Sequence, residues 1–527
     1  MTRRAARPPG AHRWRIPRWA VVRWALVMAA AVVVAVPLAA LLGLPPLLPV
    51  VLAGLGVAAV RPLAGMTYVL VVLMAPLGLW MIHVDELMSH TFGGREYALS
   101  LSSSVVAVSL MCRALIRRPP SRQQLAWAVP AVLIFGVWVL IGVANHGLAQ
   151  TAAGARITVL PVVLLLVFAG LPVRDLHRLL TVTAWLVIGN GVAAVVEYAL
   201  GPARLVAFGF QEGRAVRLIG DTFRASGLTE VNAELGLLAG AFLLGYAALF
   251  LVRTLRPRHV VWHVAAGAAV VCLALSTSRS GALLLAGGLV AAVVLNRGGD
   301  QAARRRARLL GIGVVVLVVG GFAAVGATDS DSLFERFTVW GRLIAHGAPW
   351  YGLGVGGVGA ATYSRAADSP QVFVDNYFVS VVLQFGYLVA AVVAGLVVWG
   401  LFRLWRRTRD RPHYVVYVAA LSGLVCGALM IEVWEYGDAM ACLALFLAYS
   451  ARRPEELPGP DAGAERPAMS PPGPARAWDP ALEETVRLQP GSAAETVVMN
   501  RPTVDDTVIL LNPGPTVDRN ARERHYR

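Results

Sequence analysis

Lysine is absent from this sequence, so arginine supplies all 47 of its Lys and Arg residues. Charged residues of both signs make up only 15% of the 527 residues, whereas soluble globular proteins carry about 25%. Hydrophobic residues reach 57%, and the mean hydropathy is +0.63. This shortage of charge excludes an ordinary soluble domain and predicts an all-α polytopic membrane protein.

Cysteine is also scarce. The four cysteines, Cys112, Cys272, Cys426 and Cys442, lie in apolar segments without C-x-x-C spacing, which argues against a disulfide framework and against a zinc site. The net charge of +16 would suit a nucleic-acid partner. However, the arginines occur in short clusters between apolar runs, where they set membrane topology. We therefore expect membrane lipids, and no nucleic acid, around this chain.

The apolar runs predict about fourteen spanning helices, because one span needs about 20 mainly apolar residues. They cover residues 21–42, 44–60, 64–82, 98–116, 125–145, 157–171, 179–200, 233–252, 260–276, 281–296, 309–327, 377–402, 414–431 and 437–450. The transmembrane domain is thus expected over 20–450, after a basic arm at 1–19. No A-x-A-type cleavage site with a polar sequel follows that arm, so we expect it to remain in the cytoplasm.

The arginine clusters predict the side of each break. The arginine-rich breaks, expected in the cytoplasm, are 117–124, 172–178, 253–259, 297–308 and 403–413. The breaks expected on the outer face, where acids and arginines mix, are 83–97, 146–156, 201–232, 328–376 and 432–436. Under the positive-inside rule this pattern places both termini in the cytoplasm.

The tail at 451–527 is rich in proline and poor in large apolar residues, so we expect it to be disordered in the cytoplasm. It carries four threonines in acidic or apolar settings, Thr485, Thr496, Thr503 and Thr507. A phosphate would add charge and strong acceptors there. The tail could therefore serve a kinase or a phosphothreonine-reader protein, or it could be an inert linker.

Four arginines in the outer breaks are candidate diphosphate ligands: Arg224, Arg279, Arg336 and Arg342. A guanidinium presents a planar donor fork that matches phosphate oxygens and keeps its charge when partly desolvated. The alternative for each is an arginine that extends to the membrane interface or pairs with a nearby acid. Positive charge on the outer face runs against the topological bias, which favours the ligand interpretation.

The outer break 328–376 is the longest polar interruption of the apolar body. Its candidate general bases are His346 and Asp375, either of which could take a proton from a hydroxyl group. Its glycine-rich turn at 352–359 lacks the spacing of a nucleotide-binding loop. We expect that turn to fold over the membrane surface, with Trp350 and Tyr351 at headgroup level.

The remaining acids of the outer breaks give no cofactor site. Asp85 and Glu86 could bind a divalent cation, but no partner acids accompany them at a recognisable spacing. Glu432, Glu435 and Asp438 lie close to the predicted bilayer edge, where we expect them to neutralise outer arginines. We therefore predict neither a metal nor another cofactor.

The order of four motifs resembles the O-antigen ligase and polysaccharide polymerase family of bacterial membrane glycosyltransferases. The motifs are RASGLTEVN from Arg224, TSRSG from Thr277, WGRLIAHGAPWYGLG from Trp340 and LQFGYL from Leu383. The resemblance covers roughly residues 220–400. It implies a GT-C-like ligase architecture in the bacterial cytoplasmic membrane and a glycosyl transfer that needs no metal.

The resemblance also implies substrates and roles. The donor would be a glycan on a polyprenyl diphosphate, and the acceptor a hydroxyl of a glycan, a lipid or a protein at the outer face. The four arginines would hold the diphosphate leaving group. The base would be Asp375, where the family often has a histidine before asparagine, or His346. The alternative from another class is a flippase or exporter of lipid-linked oligosaccharides; a third is a scaffold that acts through the tail.

Overall fold

The computed structural model describes residues 61–76, 95–117, 121–208, 216–219, 222–252, 257–295, 331–346, 348–364, 374–411 and 413–452, and a few isolated residues between them. All of them belong to one unit that ends at Gly459. The predicted arm at 1–19, the predicted spans at 21–42, 44–60 and 309–327, and the predicted tail beyond residue 452 lie outside the described residues.

The described chain is almost entirely helical. Its α-helices are α1 (Pro62–Met74), α2 (Arg95–Arg117), α3 (Arg122–His146), α4 (Leu148–Gly170), α5 (Val173–Leu200), α6 (Pro202–Ala207), α7 (Asn232–Leu251), α8 (Val260–Ser276), α9 (Arg279–Leu295), α10 (Asp331–His346), α11 (Tyr377–Arg407), α12 (Tyr414–Ala428) and α13 (Gly437–Ser450). Two 3₁₀ helices cover Gly359–Ser364 and Val433–Glu435. Strands β1 (Arg217–Ile219) and β2 (Thr222–Arg224) form an antiparallel pair.

Five of these helices, α3, α4, α5, α7 and α11, are long and apolar enough to cross a membrane. Six shorter apolar helices lie within α1, α2, α8, α9, α12 and α13. These helices overlap the predicted spans from 64–82 onward, except the one at 309–327. The described chain is therefore an all-α membrane protein, as the scarcity of charge predicted.

Helix α7 lies at the centre of the core. Its residues Leu235, Leu238, Phe242 and Leu249 are at most 1% exposed. A close contact with α9 is possible because α7 carries the small-residue sequence GLLAG from Gly236. Without a Cβ on this face the two backbones can approach each other, as in other membrane helix pairs.

The connections between helices collect at two ends of the bundle. The upper end carries segments 222–231, 277–278 and 429–436. At the lower end, the Thr408 hydroxyl donates to the Leu295 carbonyl over 3.1 Å, and the Arg452 guanidinium donates to the Ala169 carbonyl over 2.8 Å and to the Leu171 carbonyl. We use the names upper end and lower end for these two faces below.

Several predicted breaks contain helical residues, including α6 in the break at 201–232. The break expected at 146–156 is mostly the start of α4, and only Gly147, with φ 81°, separates α3 from α4. Its sequence LAQTAAGARI consists largely of good helix formers, although it is too polar to score as a span. The break at 328–376 contains α10 and the first 3₁₀ helix. Helix α10 has a narrow apolar stripe, so its average hydropathy is low and a hydropathy criterion for spanning helices does not detect it.

Candidate functional site

The Arg224 segment and the Arg279 turn are packed against each other at the upper end. The Ala225 amide donates to the Leu275 carbonyl over 3.1 Å, and the Asn232 side-chain amide donates to the Ser276 carbonyl over 3.2 Å. Arg224 ends β2, Arg279 begins α9, and both side chains are half-buried. Two of the four predicted ligands therefore lie on adjoining segments.

A buried carboxylate holds the Arg224 segment in place. Glu197, near the end of α5, is 7% exposed and accepts from the Ser226 amide over 2.8 Å and from the Gly227 amide over 2.9 Å. Gly227 has a φ of 63°, which a glycine adopts without strain. The side-chain oxygen of Asn190 accepts from the Leu228 amide over 3.0 Å.

Sequence reasoning did not assign Glu197 a role. The available signal was its position as an isolated acid at the end of an apolar run, because ionisable residues in spans are costly and therefore functional or paired. Its partners are backbone amides of a loop 29 and 30 residues away, and nothing in the sequence marks such partners.

The position of Arg279 is electrostatically unusual. The N-terminus of an α-helix carries a partial positive charge and favours anions, yet a guanidinium occupies the first residue of α9. The Ser278 hydroxyl accepts from the Gly281 amide over 3.3 Å and lies 3.0 Å from the Ser280 hydroxyl. Donors and positive charge thus collect at this turn, which suits an anionic ligand.

Helix α10 carries three further predicted site residues. Arg342 is exposed to solvent. The structure describes only the backbone of Arg336 and His346. The apolar stripe of α10 packs on α11, where Trp340 joins a small cluster with Val379 and Leu383.

The glycine-rich turn fills a break in α11. Gly386 interrupts the helix with φ 80° and ψ 171°. Beside this break, the Leu353 amide donates to the Leu383 carbonyl over 2.7 Å and the Gly354 amide donates to the Gln384 carbonyl over 2.9 Å. Backbone groups released by the broken helix are satisfied in this way, as a membrane protein requires.

Helices α3 and α4 hold the other side of the same turn. The Trp138 indole donates to the Tyr351 carbonyl over 2.9 Å, and the Asn145 side-chain amide donates to the Leu353 carbonyl over 3.0 Å. The Gln150 side-chain amide donates to the Gly356 carbonyl over 2.5 Å. Residues 352–359 are buried or half-buried between three helices, whereas Trp350 and Tyr351 just before them are exposed. The location of this turn at the membrane surface stays a prediction.

Asp375 lies at the upper end, immediately before α11, and is exposed. The next residue, Asn376, caps α11 by accepting from the Phe378 amide over 2.9 Å, and its own amide donates to the Leu429 carbonyl over 3.2 Å. The charge of Asp375 acts on Glu432 and on the Tyr436 hydroxyl. The predicted base is therefore next to acids of the α12–α13 connection.

Those acids form a close pair. Burial, with the charge of Glu435, raises the pKa of Glu432 to about 9, and burial raises the pKa of Glu435 to about 7. One oxygen of Glu435 accepts from the Ala360 amide over 2.8 Å. The partner that the structure gives Glu435 is a backbone amide; that these acids neutralise outer arginines stays a prediction.

Within the described ranges, no three His, Cys, Asp or Glu residues are grouped so that they could hold a metal ion. The site is thus a set of arginines and carboxyl groups on the connections of the upper end.

This chain matches no family model, no curated protein and no solved structure.

Proposed function

We propose that this protein is a membrane glycosyltransferase that transfers or polymerises a glycan from a polyprenyl-diphosphate carrier onto an acceptor hydroxyl. The observation that carries this proposal is the contact between the Arg224 segment and the Arg279 turn, joined by the bond from Ala225 to Leu275. Arginines on two adjoining segments suit a diphosphate, which has several oxygens to accept paired donors.

The chemistry follows from that placement. The bond between the anomeric carbon and the diphosphate breaks as the acceptor oxygen bonds to that carbon. Arg224 and Arg279 would stabilise the negative charge that develops on the diphosphate, since fixed donors aimed at developing charge are usually the largest catalytic contribution. Arg336 and Arg342 of α10 would add to this stabilisation if their side chains turn toward the ligand. The acceptor proton passes to a base at the upper end, and the initial candidates are Asp375 and His346.

The orientation in the membrane is part of the proposal. The lower end carries an arginine run around Arg403, Arg406 and Arg407, and positive loops remain on the cytoplasmic side. The upper end would then face outward across the bacterial cytoplasmic membrane. The glycan, lipid or protein acceptor would therefore be met outside the cytoplasm, where ATP and nucleotide sugars are absent.

Reconstitution of the purified protein with a polyprenyl-diphosphate glycan tests this function. We expect transfer that depends on an acceptor, and we expect Arg279→Ala to lower its rate by about 10²–10³-fold, the usual effect of removing one such donor. The matched control is Arg258→Ala, which removes an exposed arginine near the lower end and should leave the rate unchanged. Equal rates for both variants would refute the site. Movement of intact lipid-linked glycan without transfer would instead identify a flippase.

A further inference from the structure

The connection between α12 and α13 places a carboxylate in a defined position at the upper end. Glu435 closes the 3₁₀ helix Val433–Glu435 and accepts from the Ala360 amide over 2.8 Å. It lies directly against Gly359, where an added Cβ would come within 2.8 Å of the carboxyl carbon. The backbone around Gly359 therefore fixes the side chain of this half-buried residue.

The neighbouring acid has, within the described part of the chain, one carboxyl oxygen without a hydrogen-bond partner. Glu432 is 5% exposed, and its Oε1 atom is buried without a hydrogen-bond partner among the residues that the structure describes. The Ser380 side chain hydrogen-bonds the same carboxyl group. An unsatisfied buried polar atom is costly, so Oε1 is a place where a polar ligand group would bind. A neutral carboxyl group there can donate to the oxygen of a sugar hydroxyl, which leaves the hydroxyl proton for a second carboxylate.

We propose that Glu435 is the general base that takes the proton from the acceptor hydroxyl, and that the carboxyl group of Glu432 orients that hydroxyl. This inference rests on the proposed function. As the acceptor oxygen bonds to the anomeric carbon, the bond from that carbon to the diphosphate breaks with its electron pair. The acceptor proton moves to a Glu435 oxygen, and the carrier leaves as the diphosphate anion. Glu435 later returns its proton to solvent.

The surroundings of the two carboxyl groups agree with this division of roles. Burial raises the pKa of Glu435 to about 7, while burial and the charges of Glu435 and Asp375 raise the pKa of Glu432 to about 9. Near pH 8, Glu435 is therefore mostly ionised and Glu432 is mostly neutral. Paired carboxyl groups whose environments push their pKa values apart are a common origin of acid and base roles.

Other titratable groups lie on the elements packed against the pair, including Tyr377 at the start of α11, on which both carboxylate charges act, and Asp438 at the start of α13. Glu432 and Glu435 share one connection, and Asp375 precedes α11. The Tyr436 hydroxyl, whose pKa burial and nearby carboxylates raise well above its usual range, stays neutral. The Trp434 indole donates to the Thr158 carbonyl of α4 over 3.0 Å. The only charged residue on α4 is Arg156.

The test compares Glu435→Gln with the wild-type protein in the reconstituted transfer assay across pH. The amide can still accept from the Ala360 amide, so the fold should persist. We expect the rate at saturating donor to fall by about 10²-fold or more, since general bases contribute about 10²–10⁴-fold. The KM for the donor should stay within about two-fold, because a base acts in the transition state. The wild-type rate should rise with pH through about 7, and the variant should lose this rise.

Three further variants make the result decisive. Glu435→Asp keeps a carboxylate and should restore part of the rate. Asp410→Asn makes the same acid-to-amide change at an exposed position of the lower end and should have no effect. Asp375→Asn should lower the rate by less than about ten-fold, well below the usual loss for a general base.

Equal rates for wild type and Glu435→Gln, or a large loss in Asp375→Asn with Glu435→Gln active, would overturn the assignment of the base alone. Absence of any transfer by the wild-type protein would overturn the proposed function together with it.

Discussion

Replacing Gly154 with alanine should displace the glycine-rich turn from its contact with α4. Gly154 is buried on α4, and an added Cβ would lie 2.5 Å from the Gly356 Cα and 2.6 Å from the Gly356 amide nitrogen. Both are backbone atoms, so no side-chain rotation can relieve the contact. Real Cβ atoms almost never approach another heavy atom within 3.0 Å. The turn must therefore move away from α4 by about 0.5 Å or more.

This movement has a calculable cost. The turn lies between α4 and α11, so a shift of about 0.5 Å away from α4 presses it against α11 and stretches the bond from the Gln150 side chain to the Gly356 carbonyl. A weakened hydrogen bond costs up to about 1 kcal/mol and overpacking about 1–3 kcal/mol. The better helix propensity of alanine offsets about 1 kcal/mol of this. The net loss of stability should be about 1–3 kcal/mol.

Thermal unfolding in detergent, followed by intrinsic tryptophan fluorescence, measures this loss. The matched control is Gly136→Ala on α3, where an added Cβ would have no heavy atom within 4 Å. This control should be unchanged, or more stable by up to about 1 kcal/mol. If Gly154→Ala unfolded at the same temperature as the control, the close contact between α4 and the turn at Gly356 would be refuted.

Two further predictions concern carboxyl groups. Glu197→Ala leaves the Ser226 and Gly227 amides without their acceptor, so the protein should lose about 1–3 kcal/mol, and trypsin should cleave after Arg224 faster than in the wild type. Glu432, with its pKa raised from 4.5 to about 9, binds a proton more tightly in the folded state. Its contribution to stability is complete below about pH 4.5 and is lost as pH rises toward 9, so unfolding temperatures measured across pH should decline less steeply in Glu432→Gln.

Hydropathy alone located most of the membrane helices. The predicted spans 260–276 and 437–450 coincide with α8 and α13, and 233–252 differs from α7 by one residue at each end. Such segments are uniformly apolar and end at polar or turn-forming residues, so the boundary is local information. Where the helix continues into polar sequence, as α5 does before residue 179, hydropathy placed the start six residues late.

The arrangement of the site was less accessible from the sequence. Arg224 and Arg279 could be selected from the sequence because the positive-inside rule predicts little positive charge on the outer face. The sequence could not indicate that Glu435 is fixed by the Ala360 amide, 75 residues earlier in the chain. The same holds for Glu197, because the sequence does not show which backbone amides will lie beside a given carboxylate. Contacts of this kind depend on the completed bundle.

The separation in sequence between Gln150 and Gly356 is 206 residues, and this has a consequence for biosynthesis. At about 5–20 residues per second, α3 and α4 would be made about 10–40 s before the turn that satisfies Trp138, Asn145 and Gln150. During that interval their donors need temporary partners in the membrane, such as water, lipid headgroups or an insertion factor. Assembly of this protein therefore has a late closing step, and a chain truncated before residue 350 would leave the translation machinery with these donors unsatisfied.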